Sequence, residues 1–253
     1  MAKKIFIWIF LIASLISCDD PSNNGENKAN QTQEKSDISI ETNKLSFQKK
    51  NYYVDVKLEY PQVLIDGSAK NEINDGIEEL INSIKNQYLG DDLNDKREIV
   101  DNYLADNKLS KNENTAKFTS QLDYQISETP NYFSLLITIY EFGLGAHGNT
   151  TRHAFNYSKK LKKMVSLGEV IDLSTSTKED ALVKLLSKHI DAEFCEVPSI
   201  SKEYTLFFVN LHELGIAFNY YDLGAYTCGS ETIFIKNTAL KEADLIKKLS
   251  SNV

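Results

Sequence analysis

The chain has 253 residues, 42% of them apolar, 10% aromatic and 25% charged. That is ample material for one large or two small packed domains, and it excludes a disordered or fibrous protein. The formal charge is −8, and without a dense basic face the chain is not expected to bind nucleic acid.

In chain order, Lys3 and Lys4 precede an apolar run at 5–16, and small Ser17 sits before Cys18, the order of a secretory leader. The run is about 12 residues, short of the ~20 that a spanning helix needs. Leu15-Ile16-Ser17-Cys18 resembles the lipobox of bacterial lipoproteins. The resemblance implies a signal peptide at 1–17, a Cys18 that is acylated after cleavage, palmitate-type lipid as anchor, and membrane lipid as a partner. Removing Lys3 and Lys4 with the leader takes the charge to −10. A buried first helix is the alternative, and Asp19, Asp20 and Pro21 follow too soon for it. Residues 18–45 are predicted to be a flexible tether, too polar to repay the entropy of ordering. At ~25 residues it would span roughly 25–30 Å.

Residues 46–142 read as a β-α-α-β-β lobe. Tyr52, Val54, Val56, Leu58 and Tyr60 alternate with polar residues, which predicts a strand that Pro61 ends. Ile73, Ile77, Leu80, Ile81, Ile84 and Tyr88 recur at steps of three and four, predicting an amphipathic helix that stops at Gly90. A shorter helix carries Ile99, Val100, Tyr103 and Leu104. Phe118, Ser120, Leu122, Tyr124 and Ile126 form the next strand. After a turn at 128–131, Phe133, Leu135, Ile137 and Ile139 return antiparallel, with Leu136 and Tyr140 on the other side.

Residues 143–253 read as a second α+β domain. A strand is expected at 152–157 and a short helix or turn at 166–173. A helix follows from Ser176, capped by a Ser176–Glu179 box. Strands at 204–210 and 216–220 flank a turn containing Gly215, another strand covers 231–236, and a final helix holds Leu240, Ala243, Ile246 and Leu249. The predicted fold is α+β: two packed lobes of mainly antiparallel sheet with helices on one face.

With Cys18 lipidated, two cysteines remain in an exported chain. Cys195 and Cys228 are predicted to form one disulfide, closing a loop of about 33 residues; two separate buried thiols are the alternative. No histidine pair has His-x-x-x-His spacing, and there is no Gly-x-Ser-x-Gly elbow and no phosphate loop. His147 and His153 with Glu141 make only a weak metal set, so no metal, cofactor or catalytic residue is assigned. The segment Gly143-Leu144-Gly145-Ala146-His147-Gly148-Asn149 stands out, with small residues that allow positive φ and close backbone approach. It is either a tight connection between strands or a loop that presents amides and His147 to a ligand.

That loop, followed by 152–157 and by Val165-Ser166-Leu167-Gly168-Glu169-Val170-Ile171, resembles the domain of unknown function in the outer part of lysozyme-sensing anti-sigma factors. A similar module precedes the catalytic domain in some peptidoglycan deacetylases. Phe207-Phe208-Val209, the run from Gly215 to Tyr221, and Ala225-Tyr226 look like its later hairpin and the start of its next strand. The resemblance covers about 47–249. It implies a non-enzymatic binding role outside the cell, with Gly145, Ala146, His147, Gly148 and Asn149 as ligand-binding residues and lysozyme or peptidoglycan as partner. Here a lipobox stands where the anti-sigma factors have a sigma-binding segment and a spanning helix, so signalling across the membrane is not carried over. The expected protein is a lipid-anchored lipoprotein of the cell envelope, on its periplasmic or surface face. A peptidoglycan-modifying enzyme and a structural envelope lipoprotein without soluble ligand are the alternatives.

Overall fold

The computed structural model describes residues 38–89, 93–108, 117–191 and 193–247. The predicted leader, Cys18 and most of the tether lie outside the described residues, as do Gly90 and Leu249. Two sheets carry the fold. The first runs β1 (Ile40–Lys50), β2 (Val54–Ile65), β3 (Phe118–Glu128), β4 (Tyr132–Phe142), β5 (Asn149–Ser158) and β6 (Lys163–Met164), in that spatial order. All neighbours are antiparallel except β2 and β3. A parallel pair needs a long crossover, and α1 (Glu72–Leu89) with α2 (Leu93–Asp106) supplies it.

The helices cover one face of this sheet. Ile73, Ile77, Ile81, Ile84 and Tyr88 of α1 and Val100 and Leu104 of α2 are buried with Val54, Val56 and Leu58 of β2 and with Phe133, Leu135, Ile137 and Ile139 of β4. Two local devices seat α1. The Asn74 side chain accepts from the Val63 N–H and donates to the Val63 carbonyl, both at 2.8 Å, in the manner of a strand neighbour. Gly76 lies where any Cβ would come within 2.4 Å of the Phe155 ring of β5, so the missing side chain lets the helix close onto that ring.

The second lobe has its own core around the three-stranded antiparallel sheet β7 (Phe207–Val209), β8 (Glu213–Ala217) and β9 (Thr232–Lys236). Leu167 of α3 (Leu167–Val170), Leu182 and Leu186 of α4 (Ser176–Leu186), and Leu240 of α5 (Asn237–Glu242) are buried against Leu214, Ile216, Ile233 and Ile235. The α+β class and the mainly antiparallel sheets are as the sequence predicts.

Several local expectations change. Strand β1 takes up residues 40–45, assigned to the tether; its face is almost wholly exposed, with Lys44, Lys49 and Lys50 along it, as suits a sheet edge. Pro61 does not end β2 but sits inside it opposite Lys44, beyond Leu58 where β2 pairs with β1 alone, so a missing N–H costs little. The boundary expected at 142–143 falls within the β4–β5 hairpin, and β5 belongs to the first sheet. The N-cap of α4 is Thr175, not Ser176, and the box of serine and glutamate occurs earlier, where the Ser166 N–H donates to Glu169 at 2.9 Å. Gly215 lies in β8, not in a turn, because Thr232 and Phe234 of β9 fill the space a side chain would need, at 2.8 and 2.9 Å. Helix α5 stops at Glu242, and Asp244 follows at φ 54.

The two sheets meet through one face of β4 and β5. Leu136 packs with Phe208 and Ala217, and Ala154 lies against them. Beside them, Ser134 and Asn156 are buried opposite each other. The Ser134 hydroxyl donates to Asn156 at 2.7 Å, the Asn156 amide donates to the Phe207 carbonyl at 2.8 Å, and the Val209 N–H donates to Ser134 at 3.1 Å. Since β7 is an edge strand, these side chains serve backbone groups that no strand reaches. Replacing Asn156 by Ala strands the Phe207 carbonyl and should lower unfolding stability by about 2–3 kcal/mol in urea denaturation. A loss under about 0.5 kcal/mol, typical of a surface change, would contradict this role.

Candidate functional site

The β4–β5 hairpin pairs Glu141 with Asn149 and Tyr140 with Thr150, leaving Gly143 to Gly148 as its tip. Leu144 takes φ 63. Gly148 is buried under the Tyr140 ring, whose Cε2 and Oη lie 2.4 Å from where its Cβ would stand, so a larger residue would have to displace that ring. Its carbonyl lies 3.1 Å from His147 Nδ1, which donates when protonated, and accepts from the Tyr226 hydroxyl at 3.0 Å. Of the predicted loop residues, Gly145, Ala146, His147 and Asn149 are exposed, whereas Gly148 is enclosed and its carbonyl is used internally.

A second segment, residues 218–230, is fastened to the same hairpin by Arg152 of β5. Its backbone N–H donates to Asn219 at 2.7 Å; its guanidinium donates to the Phe218 carbonyl at 3.0 Å, to the Ser230 carbonyl at 2.9 Å, and to the Ser230 hydroxyl. Burial lowers the guanidinium pKa, while Tyr220 and Glu231 oppose the shift, and arginine remains cationic throughout. The Cys195–Cys228 disulfide closes the far side of the segment with a Cα separation of 5.7 Å, joining cysteines 33 residues apart, as the cysteine count predicts. Gly224, at φ +131, leaves room beside that bridge, since a Cβ there would stand 3.3 Å from Cys228 Sγ.

Between the two segments stands a column of rings. His147 stacks on Tyr226 at 3.6 Å and 22°, and Tyr220 stacks on Tyr226 at 4.3 Å and 9°. Tyr221 leans against the column at 6.0 Å and 51°. It is 60% exposed and takes φ 73, a conformation that costs a bulky residue energy. The hydrogen bond with Tyr220, followed by desolvation and the neighbouring phenols, holds the Tyr226 hydroxyl up to about 12.

The sequence reading placed Tyr220, Tyr221 and Tyr226 near strand ends without a role. The structure puts them in turns beyond β8 and brings them to the predicted loop. Their signal was the adjacent Tyr220-Tyr221 pair, but its partner His147 lies more than 70 positions away. His153 is not brought to His147. It sits opposite Ile137 on the helix-covered face, where burial lowers its pKa, and Glu141 accepts from Tyr88 at 3.1 Å. Among the described residues no three His, Cys, Asp or Glu side chains converge as a metal site. A cleft of about 480 Å³ elsewhere on the second lobe is spanned by Lys178, paired with Asp172 at 2.5 Å and Asp244 at 3.4 Å.

Comparison with known proteins shows a shared fold and, over part of the chain, a family match. The fold is similar to that of a DUF3298 family member from Bacteroides fragilis NCTC 9343, at TM-score 0.52 and 12% identity, over 84% of this chain and 95% of that one. A DUF3298 family protein from Pseudomonas aeruginosa PAO1 aligns at TM-score 0.48 and 13% identity, over 83% and 94% of the two chains. Residues 47–150, from β1 to the start of β5, match the family described as deacetylase PdaC. The resemblance to the module found in such deacetylases therefore holds over this part, the hairpin tip included. Curated proteins give no significant match.

Two outcomes test this geometry. Because the folded-state pKa of Tyr226 is raised from 10 to about 12, its stabilising contribution is complete below pH 10 and is lost between pH 10 and 12. Tyr226→Phe should flatten the stability profile over that window and leave its shape below pH 9 unchanged. Replacing Cys195 and Cys228 together by Ser should cost roughly 3 kcal/mol in urea denaturation, mostly through the unfolded chain; unchanged stability would contradict the bridge.

Proposed function

We propose that this chain is a bacterial envelope lipoprotein, anchored by acylated Cys18, whose α+β region binds an extracytoplasmic ligand at the hairpin tip without catalysing a reaction. Lysozyme and cell-wall glycan are the two ligands the family resemblance implies. The observation that carries the reading is the rim itself: two distant segments, 143–149 and 218–230, are joined by Arg152, by the Tyr226–Gly148 bond and by stacked rings into one exposed surface. Binding residues are commonly loops set on a rigid scaffold in this way. A mature charge of −10 would aid encounter with a basic protein in a salt-dependent manner. No helix among the described residues is long and apolar enough to cross a membrane. Two or more acyl chains on Cys18 would hold the protein stably at a membrane.

Mass spectrometry of the mature polypeptide should find a diacylated N-terminal Cys18, and Cys18→Ser should move the protein out of the membrane fraction. An intact, unacylated leader would overturn the anchoring part. The word deacetylase in the matched family's description favours a second reading as an enzyme. Acetate released from peptidoglycan by the purified protein, and lost in His147→Ala, would establish it in place of binding alone.

A further inference from the structure

We propose that the rim is a saccharide platform, on which a neutral pyranose chain lies with its C–H face against the exposed Tyr221, flanked by the half-buried Tyr220. The inference rests on the binding reading above and chooses between its two ligands. A pyranose ring presents a face of polarised C–H bonds, and a tyrosine presents a negative π-face with a polar hydroxyl at its edge, so the pair matches in both respects. The rim supplies that surface. Tyr221 is 60% exposed and Tyr140 is 40% exposed, and Phe194, 68% exposed, lies beyond the disulfide. An aromatic cluster serving only as core would be buried, as Tyr88 is.

Charge points the same way. The Arg152 guanidinium is consumed by backbone carbonyls and Ser230, and Asp222 accepts from the Asn219 N–H at 2.6 Å. A basic protein would be met by free carboxylates at the centre of the site, and here the centre is phenols and an imidazole.

Tyr221 supplies the third argument. Its φ of 73 is held in place by the surrounding turn although the side chain has little packing to gain. Other exposed residues outside the rim, Asp66, Lys108, Lys162 and Asp244, also take positive φ, but at Tyr221 the conformation is held by a bulky aromatic residue, for which it is the least favourable. The backbone turn and the tilted contact with Tyr226 limit the directions the ring can take, which reduces what a ligand must order.

The test uses the full mature chain in detergent micelles, titrated by calorimetry with a soluble tetramer of β-linked N-acetylglucosamine and, separately, with hen lysozyme. The tetramer should bind saturably, with affinity unchanged within about twofold between about 50 and 300 mM salt, because no charge pairing is involved. Tyr221→Gly should weaken it about tenfold or more while leaving the melting temperature equal or higher, since glycine relieves the positive φ. Tyr221→Phe, which keeps the face, should bind within about threefold of wild type. A structural role would instead lower the melting temperature in Tyr221→Gly. Tetramer binding that survives both Tyr221→Gly and Tyr220→Ala overturns the platform. Lysozyme binding that falls steeply with salt, without tetramer binding, also overturns it and leaves the broader binding reading standing. Binding of neither probe overturns both.

Discussion

The constraint on which the structure depends is the unpaired side of β7. An edge strand must satisfy its outward N–H and C=O groups, and here side chains of the other sheet do it: Asn156 takes the Phe207 carbonyl and Ser134 takes the Val209 N–H. Each bond contributes only about 1 kcal/mol net, but a buried group left without a partner costs more. The lobes are therefore joined in one register. Four residues along the same face of β5, Arg152 repeats the device for irregular backbone, holding the Phe218 and Ser230 carbonyls. One strand thus fixes the relation of the two sheets with Asn156 and builds the rim with Arg152.

This explains why the tip is composite. The hairpin loop lies within the part of the chain that matches the PdaC family, residues 47–150, whereas the tyrosine turn lies beyond it. Neither segment forms a surface alone. Gly148 lies directly beneath the Tyr140 ring, which a larger residue would displace, and its carbonyl accepts from Tyr226. The disulfide and Gly224 then close the turn from the other side. The enclosed Gly148 and the exposed His147 divide the predicted loop into a structural half and a presenting half.

Much of the fold was legible because burial writes itself as period. Phe133, Leu135, Ile137 and Ile139 announce a strand, and Ile73, Ile77, Ile81 and Ile84 a helix, since one face of each must leave water. Strand β1 was illegible for the converse reason: its residues are mostly polar, Ile40, Leu45 and Phe47 are too few and too scattered to show an alternating pattern, and pairing with β2 makes it a strand. Gly215 looked like a turn because glycine usually marks one, yet side-chain crowding from β9 demands it there. The disulfide was readable from cysteine parity. The ring column was not, because Tyr226 and His147 are brought together by Arg152 and the hairpin register, neither of which leaves a local pattern.

The central claim is that His147, Tyr220, Tyr221 and Tyr226 form a single rigid ligand surface. Nuclear magnetic resonance of their ring signals during titration with a β-linked N-acetylglucosamine tetramer tests it most directly. The account predicts that all four ring systems shift together along one saturable curve, while His189 and His212, elsewhere on the lobe, stay still. Shifts confined to other residues, or four rings that do not move at saturation, would contradict it.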